Sequence, residues 1–283
     1  MAHAARWGGG GLLELARGTC ADSLVGDDGI PRTGGDASAS GCRGTYPSFL
    51  SFRASDSSSM FAADASCLTS LGTGGCGFEQ PLDAVLKALT PAGEATTFTM
   101  GTRGHGDVEN AGLVRRDSVL AIVLLTDEDD CSAADPDLFN QGSAHFTGDL
   151  NLRCFQYPEA LYPADRYVGG LISLRPDPSR LVFTAIANMP IDLTDNATTT
   201  NFGAMLDDPR MQEQVDPRMP SRLLPSCDVP GRGMAFPPRR IITVGRDLER
   251  AGAHVAIGSI CQSDYSAPIR ALVNRIADAI EGG

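Results

Sequence analysis

Three short apolar runs, VLAIVLL (119–125), LVFTAIA (181–187) and HVAIGSI (254–260), constrain what this chain can fold into more than any other feature. The first is continuous and rich in β-branched residues, which reads as a strand buried on both faces; the second reads as another buried strand and the third as a third strand. Helical periodicity alternates with them. Leu82, Val85, Leu86 and Leu89 recur at i, i+3, i+4 and i+7 behind Glu79 and Pro81, both suited to a helix start. DRYVGGLISL (165–174) is helical until Pro176 and Pro178 stop it. Arg239 to Ala251 carries Ile241, Val244 and Leu248 on one face, with Gly252 as its C-cap. Ser266 caps a closing helix striped with Ile269, Leu272, Val273, Ile276 and Ile280. This alternation means parallel β/α units with right-handed crossovers, an α/β, Rossmann-like, mostly parallel sheet.

The rest of the chain is less patterned. Residues 1–66 are rich in Gly, Ser, Asp and Ala and read as an irregular, loop-rich region, with strand or core character only at TYPSFLSF (45–52). The α/β domain is assigned to 67–283. Within it, 188–236 is a long loop with six prolines and no strong periodicity, of the kind that is functional or ordered by bridges, and Cys227 is placed to supply one.

With 283 residues, the chain is long enough for a sizeable core, and its net charge of −12 disfavours nucleic acid, which needs a basic footprint. No apolar run is long enough to span a membrane. His3, His105, His145 and His254 share no short metal-ligand spacing, which excludes a zinc enzyme of the His-x-x-x-His kind.

Eight cysteines, Cys20, Cys42, Cys67, Cys76, Cys131, Cys154, Cys227 and Cys261, contain no C-x-x-C pair. An even count in loop-like contexts fits disulfides in an exported protein; buried thiols in a cytosolic one are the alternative. Proximity favours Cys20–Cys42, Cys67–Cys76, Cys131–Cys154 and Cys227–Cys261. The first residues lack the apolar core of a signal peptide, and one economical explanation is that the chain lacks its true beginning.

In an open parallel sheet, ligands bind beyond the carboxyl ends of the strands. The first strand ends in Thr126, Asp127, Glu128, Asp129, Asp130, Cys131 and Ser132. Four consecutive carboxylates repel one another unless they are solvated or share a cation, and hard oxygen ligands select Mg²⁺ or Ca²⁺. A solvated acidic turn and a cation site both remain open here.

LAIVLLTDEDDCS resembles the fourth-strand motif of von Willebrand factor A (VWA) domains, an apolar strand ending in Thr-Asp-Gly. GTGGCGFEQPLDAVLKAL resembles the family's Gly-Thr-x-Thr-Gly-x-Ala-Leu loop and helix. The likeness covers roughly 65–283, and its cysteine-bearing form is similar to secreted or lipid-anchored bacterial members. It implies a doubly wound fold and a metal-ion-dependent adhesion site with Asp127 at the strand-end position. Thr73 is the nearest threonine to the loop ligand, although the register equally admits Cys76, and Asp129 and Asp130 complete the candidate set. Glu128 replaces the family's glycine. The family's first motif, Asp-x-Ser-x-Ser, follows an apolar strand; DASAS (36–40) has the spacing without the strand, and DSSSM (56–60) lacks the spacing. The expectation is therefore that the first strands are missing. The family's strand order 3-2-1-4-5-6 then implies that 119–125 is an open edge and that Mg²⁺ or Ca²⁺ binds weakly.

These expectations lead to a non-enzymatic binding or adhesion module, secreted or on the outer surface or in the periplasm. It would engage a protein ligand through a cation-bridged carboxylate. An inert envelope fragment and a metal-assisted hydrolase are the alternatives. No nucleophile elbow or P-loop is present, and GTRGHG (101–106) follows no strand. His105 and His145 read as surface loop residues, and the sequon at Asn196 as chance.

Overall fold

The computed structural model describes residues 29–31, 33–35, 40–69, 78–194 and 200–282. The apolar runs are strands β1 (Leu120–Leu125), β2 (Leu181–Ala187) and, after a small hairpin of β3 (Cys227–Val229) and β4 (Gly233–Ala235), β5 (His254–Ser259). β1, β2 and β5 pair in parallel in the order β1-β2-β5, with Leu120 opposite Leu181 and Val182 opposite His254. The helices are α1 (Ser58–Thr69), α2 (Pro81–Leu89), α3 (Arg153–Gln156), α4 (Ala164–Ser173), α5 (Phe202–Asp207), α6 (Arg239–Arg250) and α7 (Ser266–Glu281).

Alternation along the strands sorts the helices onto two faces. Ile122, Leu124, Phe183, Ala185, Val255 and Ile257 enter one core with Leu82 and Leu86 of α2, Tyr167 and Leu171 of α4 and Ile241, Val244 and Leu248 of α6. Close approach of the packed elements favours glycine in α4 and in β5. A Cβ on Gly170 of α4 would lie 2.5 Å from Leu86, and one on Gly258 of β5 would lie 2.5 Å from Pro268 of α7, on the opposite face. There α7 packs on β5 and β2. The chain is thus an α/β protein with a three-stranded parallel sheet and helices on both sides.

β1 corrects the expectation of a strand buried on both faces. Ile122 and Leu124 are buried, but Ala121 is exposed and Val123 is 45% exposed, because α7 packs mainly on β5 and β2. Among the described residues no strand pairs with the outer edge of β1, as expected of an open edge.

Three other differences have physical causes. The region before residue 67 contains α1, in which only Cys67 is buried; a helix held by a bridge rather than by an apolar stripe leaves no periodicity to read. TYPSFLSF forms no strand: Thr45 makes one isolated bridge to Gly34, Tyr46 is buried and Phe52 is exposed. The 188–236 stretch holds α5 and the β3–β4 hairpin, which Cys227–Cys261 ties to the end of β5. One cap also differs. Gly252, at φ +101°, follows α6 as its left-handed terminator, as expected. At the start of α7, however, Asp264 rather than Ser266 supplies the cap, accepting the Ser266 N–H at 2.8 Å.

Cys131–Cys154 and Cys227–Cys261 form as proximity predicts. Cys42 pairs instead with Cys67, which overturns Cys20–Cys42 and Cys67–Cys76. Cys20 and Cys76 themselves lie outside the described residues. No helix among the described residues is long and apolar enough to cross a membrane.

Candidate functional site

The acidic run after β1 does not stay together. The ladder continues one residue, with the Thr126 N–H donating to the Ile186 carbonyl, and the Thr126 hydroxyl then closes a tight turn with Glu128. Asp127 takes one direction. Its carbonyl accepts the Phe236 N–H, and it lines a small hollow with Cys227, Arg232 and Cys261 beside the β3–β4 hairpin. Glu128, Asp129 and Asp130 turn the other way and line a cavity of about 310 Å³.

Asp129 and Asp130 are helix clamps. The two oxygens of Asp129 accept the N–H groups of Arg240 at 2.8 Å and Ile241 at 3.2 Å, the first turn of α6. No side chain of α6 itself caps that end, which begins after Pro238. Asp130 is fully buried and accepts the Leu82 N–H at 2.9 Å in the first turn of α2. It also accepts the Ser132 hydroxyl at 2.6 Å and the Arg240 guanidinium at 3.2 Å. The Ser132 hydroxyl oxygen takes the Asp83 N–H in turn. Two carboxylates thus answer the exposed donors and positive dipole ends of two helices, and this joins α2 and α6 to the end of β1.

This arrangement decides how the expected ligands stand. Asp127 faces a different hollow from Asp129 and Asp130, whose oxygens are occupied by helix ends. Thr73 and Cys76 lie outside the described residues, as do Asp36 to Ala39 of DASAS and the Asn196 sequon. Among the described residues no three His, Cys, Asp or Glu side chains gather as a metal site. Among the described residues, Asp127, Asp129 and Asp130 do not converge on one point.

The cavity has a distinct chemistry. Five carboxylates line it, Glu79, Glu128, Asp129, Asp130 and Glu213, against two guanidiniums, Arg222 and Arg240. Both guanidiniums are engaged, Arg222 by Asp216 at 2.8 Å and Arg240 by Asp130. Phe78, Phe155 and Phe236 supply apolar wall, and the Cys131–Cys154 bridge supplies another part. Burial pushes the Asp129 carboxyl up to about 7, with the Glu213 charge adding to it against the backbone donors of α6. Glu213 is itself raised by burial, against the pull of Arg239 and Arg240. Beneath the cavity, burial lifts Asp83 to about 6, opposed by Arg166.

Glu213 and Arg240 carry no motif and went unread. Glu213 sits in the aperiodic 188–236 stretch and left no signal. Arg239 and Arg240 did leave one: two cations at a helix start oppose its dipole unless carboxylates answer them. GTRGHG serves α2, since the His105 and Gly106 N–H groups donate to the Lys87 and Thr90 carbonyls at its C-terminal end. His105 pairs with Glu109 at 2.8 Å, and neither His105 nor His145 lines the cavity.

No protein-family model matches the chain, and no curated protein or solved structure proves similar to it.

Proposed function

We propose that the chain is an exported, non-enzymatic binding module with a VWA-like, doubly wound core, whose site is the acidic cavity at the carboxyl end of β1. The group it takes is a cation presented by a protein ligand. One observation carries this reading: five carboxylates line the cavity while both of its guanidiniums are already paired, so the surplus is negative and partly desolvated. A buried carboxylate pushed up to about 7 gains from a positive guest, which lowers the free energy of its charged form. A cavity of about 310 Å³ with aromatic and carboxylate walls suits a guanidinium or ammonium side chain.

Export is supported by the three disulfides. The VWA-like core is supported by the β1-β2-β5 order with helices on both faces.

Amide chemical-shift titration of the whole chain tests the site, with agmatine in one arm and MgCl₂ or CaCl₂ in the other at constant ionic strength. Agmatine should shift the amides around Asp129 and Glu213 saturably, and Glu213→Gln should weaken it about tenfold. The divalent ions should bind only weakly. Tight Mg²⁺ or Ca²⁺ binding would instead establish a metal-dependent site, and no saturable shift in either arm would end the proposal.

A further inference from the structure

We propose that β1 is a self-association edge: two copies of this chain pair antiparallel through their β1 strands about a two-fold axis perpendicular to the sheet, forming one continuous six-stranded sheet.

Among the described residues the edge is open and unguarded. Soluble proteins blunt such edges with prolines, charges, bulges or covering elements. The sequence LAIVLL supplies no proline and no charge, and among the described residues no strand pairs with its outer side. The flanking surface is unpartnered too, because Ala121 and Val123 lie bare beside α7. Three apolar residues of α7, Ile269, Val273 and Ile280, are 47%, 57% and 63% exposed. They form one flank of the helix, next to the face that Pro268 and Ala279 bury. With right-handed crossovers and α7 running antiparallel to β5, that flank is turned to the β1 side of the sheet.

Charge selects the occupant. Exposed Arg115 and Arg116, with Asp117 next to them, stand at the amino end of β1, and Asp127 and Glu128 stand at its carboxyl end. A parallel guest of the same polarity would bring like charges together. An antiparallel copy of β1 sets the arginines of each chain at the end where the other holds its acids, and it does so twice. The strand is therefore its own complement. Placing Val123 opposite Val123 puts Ala121 opposite Leu125 of the second copy on the same face, so the bare residues gain apolar neighbours. Such a contact is isologous and closes after two copies, which distinguishes it from open-ended edge aggregation.

Sedimentation equilibrium and light scattering on the whole chain test the pairing. At about 100 µM the chain should show twice its own mass. Ala121→Lys with Val123→Lys, at two exposed positions, should give a monomer with an unchanged circular dichroism spectrum. Arg115→Glu with Arg116→Glu should weaken the dimer about tenfold, and so should Asp127→Arg with Glu128→Arg. Mixing those two charge variants should restore a heterodimer, since each then complements the other. A monomeric wild type, a dimer indifferent to the two lysines, a mixture that fails to recover or a polydisperse larger assembly would each overturn the proposal.

Discussion

β1 and β2 are neighbours with similar sequences, LAIVLL and LVFTAIA, yet they occupy different environments. All seven residues of β2 are buried, whereas β1 alternates between buried and exposed. Helices α4 and α6 close one side of both, but α7 covers mainly β2 and β5 on the other. Apolar, β-branched composition thus decides that a segment is a strand in a parallel sheet; what packs on each of its faces depends on elements elsewhere in the chain. The largest test of this difference is a pair of truncations. Phe183→Ala, at a side chain with 0% exposure, should destabilise the fold by about 3–5 kcal/mol. Val123→Ala, opposite Thr184 on the neighbouring strand, should change the stability of the dissociated chain by about 0.5 kcal/mol or less. Equilibrium urea unfolding at one protein concentration checks both, and equal losses would erase the contrast between the strands.

The same contrast explains how much of the molecule was legible in its sequence. The three strands and helices α2, α4, α6 and α7 could be read because each has an apolar stripe or run that repeats with its own period. Helix α1 could not, because its anchor is the Cys42–Cys67 bridge, and pairing by sequence proximity misassigns both cysteines. The β3–β4 hairpin is three residues a strand, too short for a period, and is held by Cys227–Cys261 and by the Ser226 hydroxyl donating to the Asn188 carbonyl at 2.7 Å. The acidic run was found as a feature, but its division was not. Whether an aspartate answers a cation or a helix end depends on where α2 and α6 begin in space, and the linear string Asp-Glu-Asp-Asp does not contain that information.

That division gives the second test, now between two carboxylates at the end of one strand. Asp130 is fully buried and serves Leu82, Ser132 and Arg240 together. Its removal leaves a half-buried guanidinium with only the Tyr162 carbonyl and leaves the first turn of α2 without its acceptor, so Asp130→Ala should cost about 3 kcal/mol. Asp127→Ala, with only its backbone carbonyl tied to Phe236, should fall within about 0.5 kcal/mol. Thermal unfolding of the two variants decides it. A large loss at Asp127 with little at Asp130 would mean that the acidic run is organised around Asp127 instead.

The smallest effect separates carboxylates raised by desolvation from carboxylates lowered by hydrogen bonds, through their pH dependence. Asp216, Asp208 and Asp247 are held below the ordinary carboxylate range by hydrogen bonds from neighbouring groups, arginine side chains among them, and contribute stability that is lost as pH falls through their folded values. Asp129 runs the other way. Burial raises its carboxyl to about 7, so between the unfolded value of about 4 and pH 7 the folded chain holds a proton that the unfolded chain has released. Stability should therefore decline as pH rises across that window, with Asp83 at about 6 adding to the decline in its lower part. Asp129→Asn removes the titration. Whatever offset the lost acceptor introduces, the variant's stability between pH 5 and 7 should be flatter than the wild type's by on the order of 1–2 kcal/mol. Urea unfolding at half-unit pH steps measures the two slopes. Parallel slopes would show that Asp129 is already ionised across the window and that the folded chain holds no extra proton there.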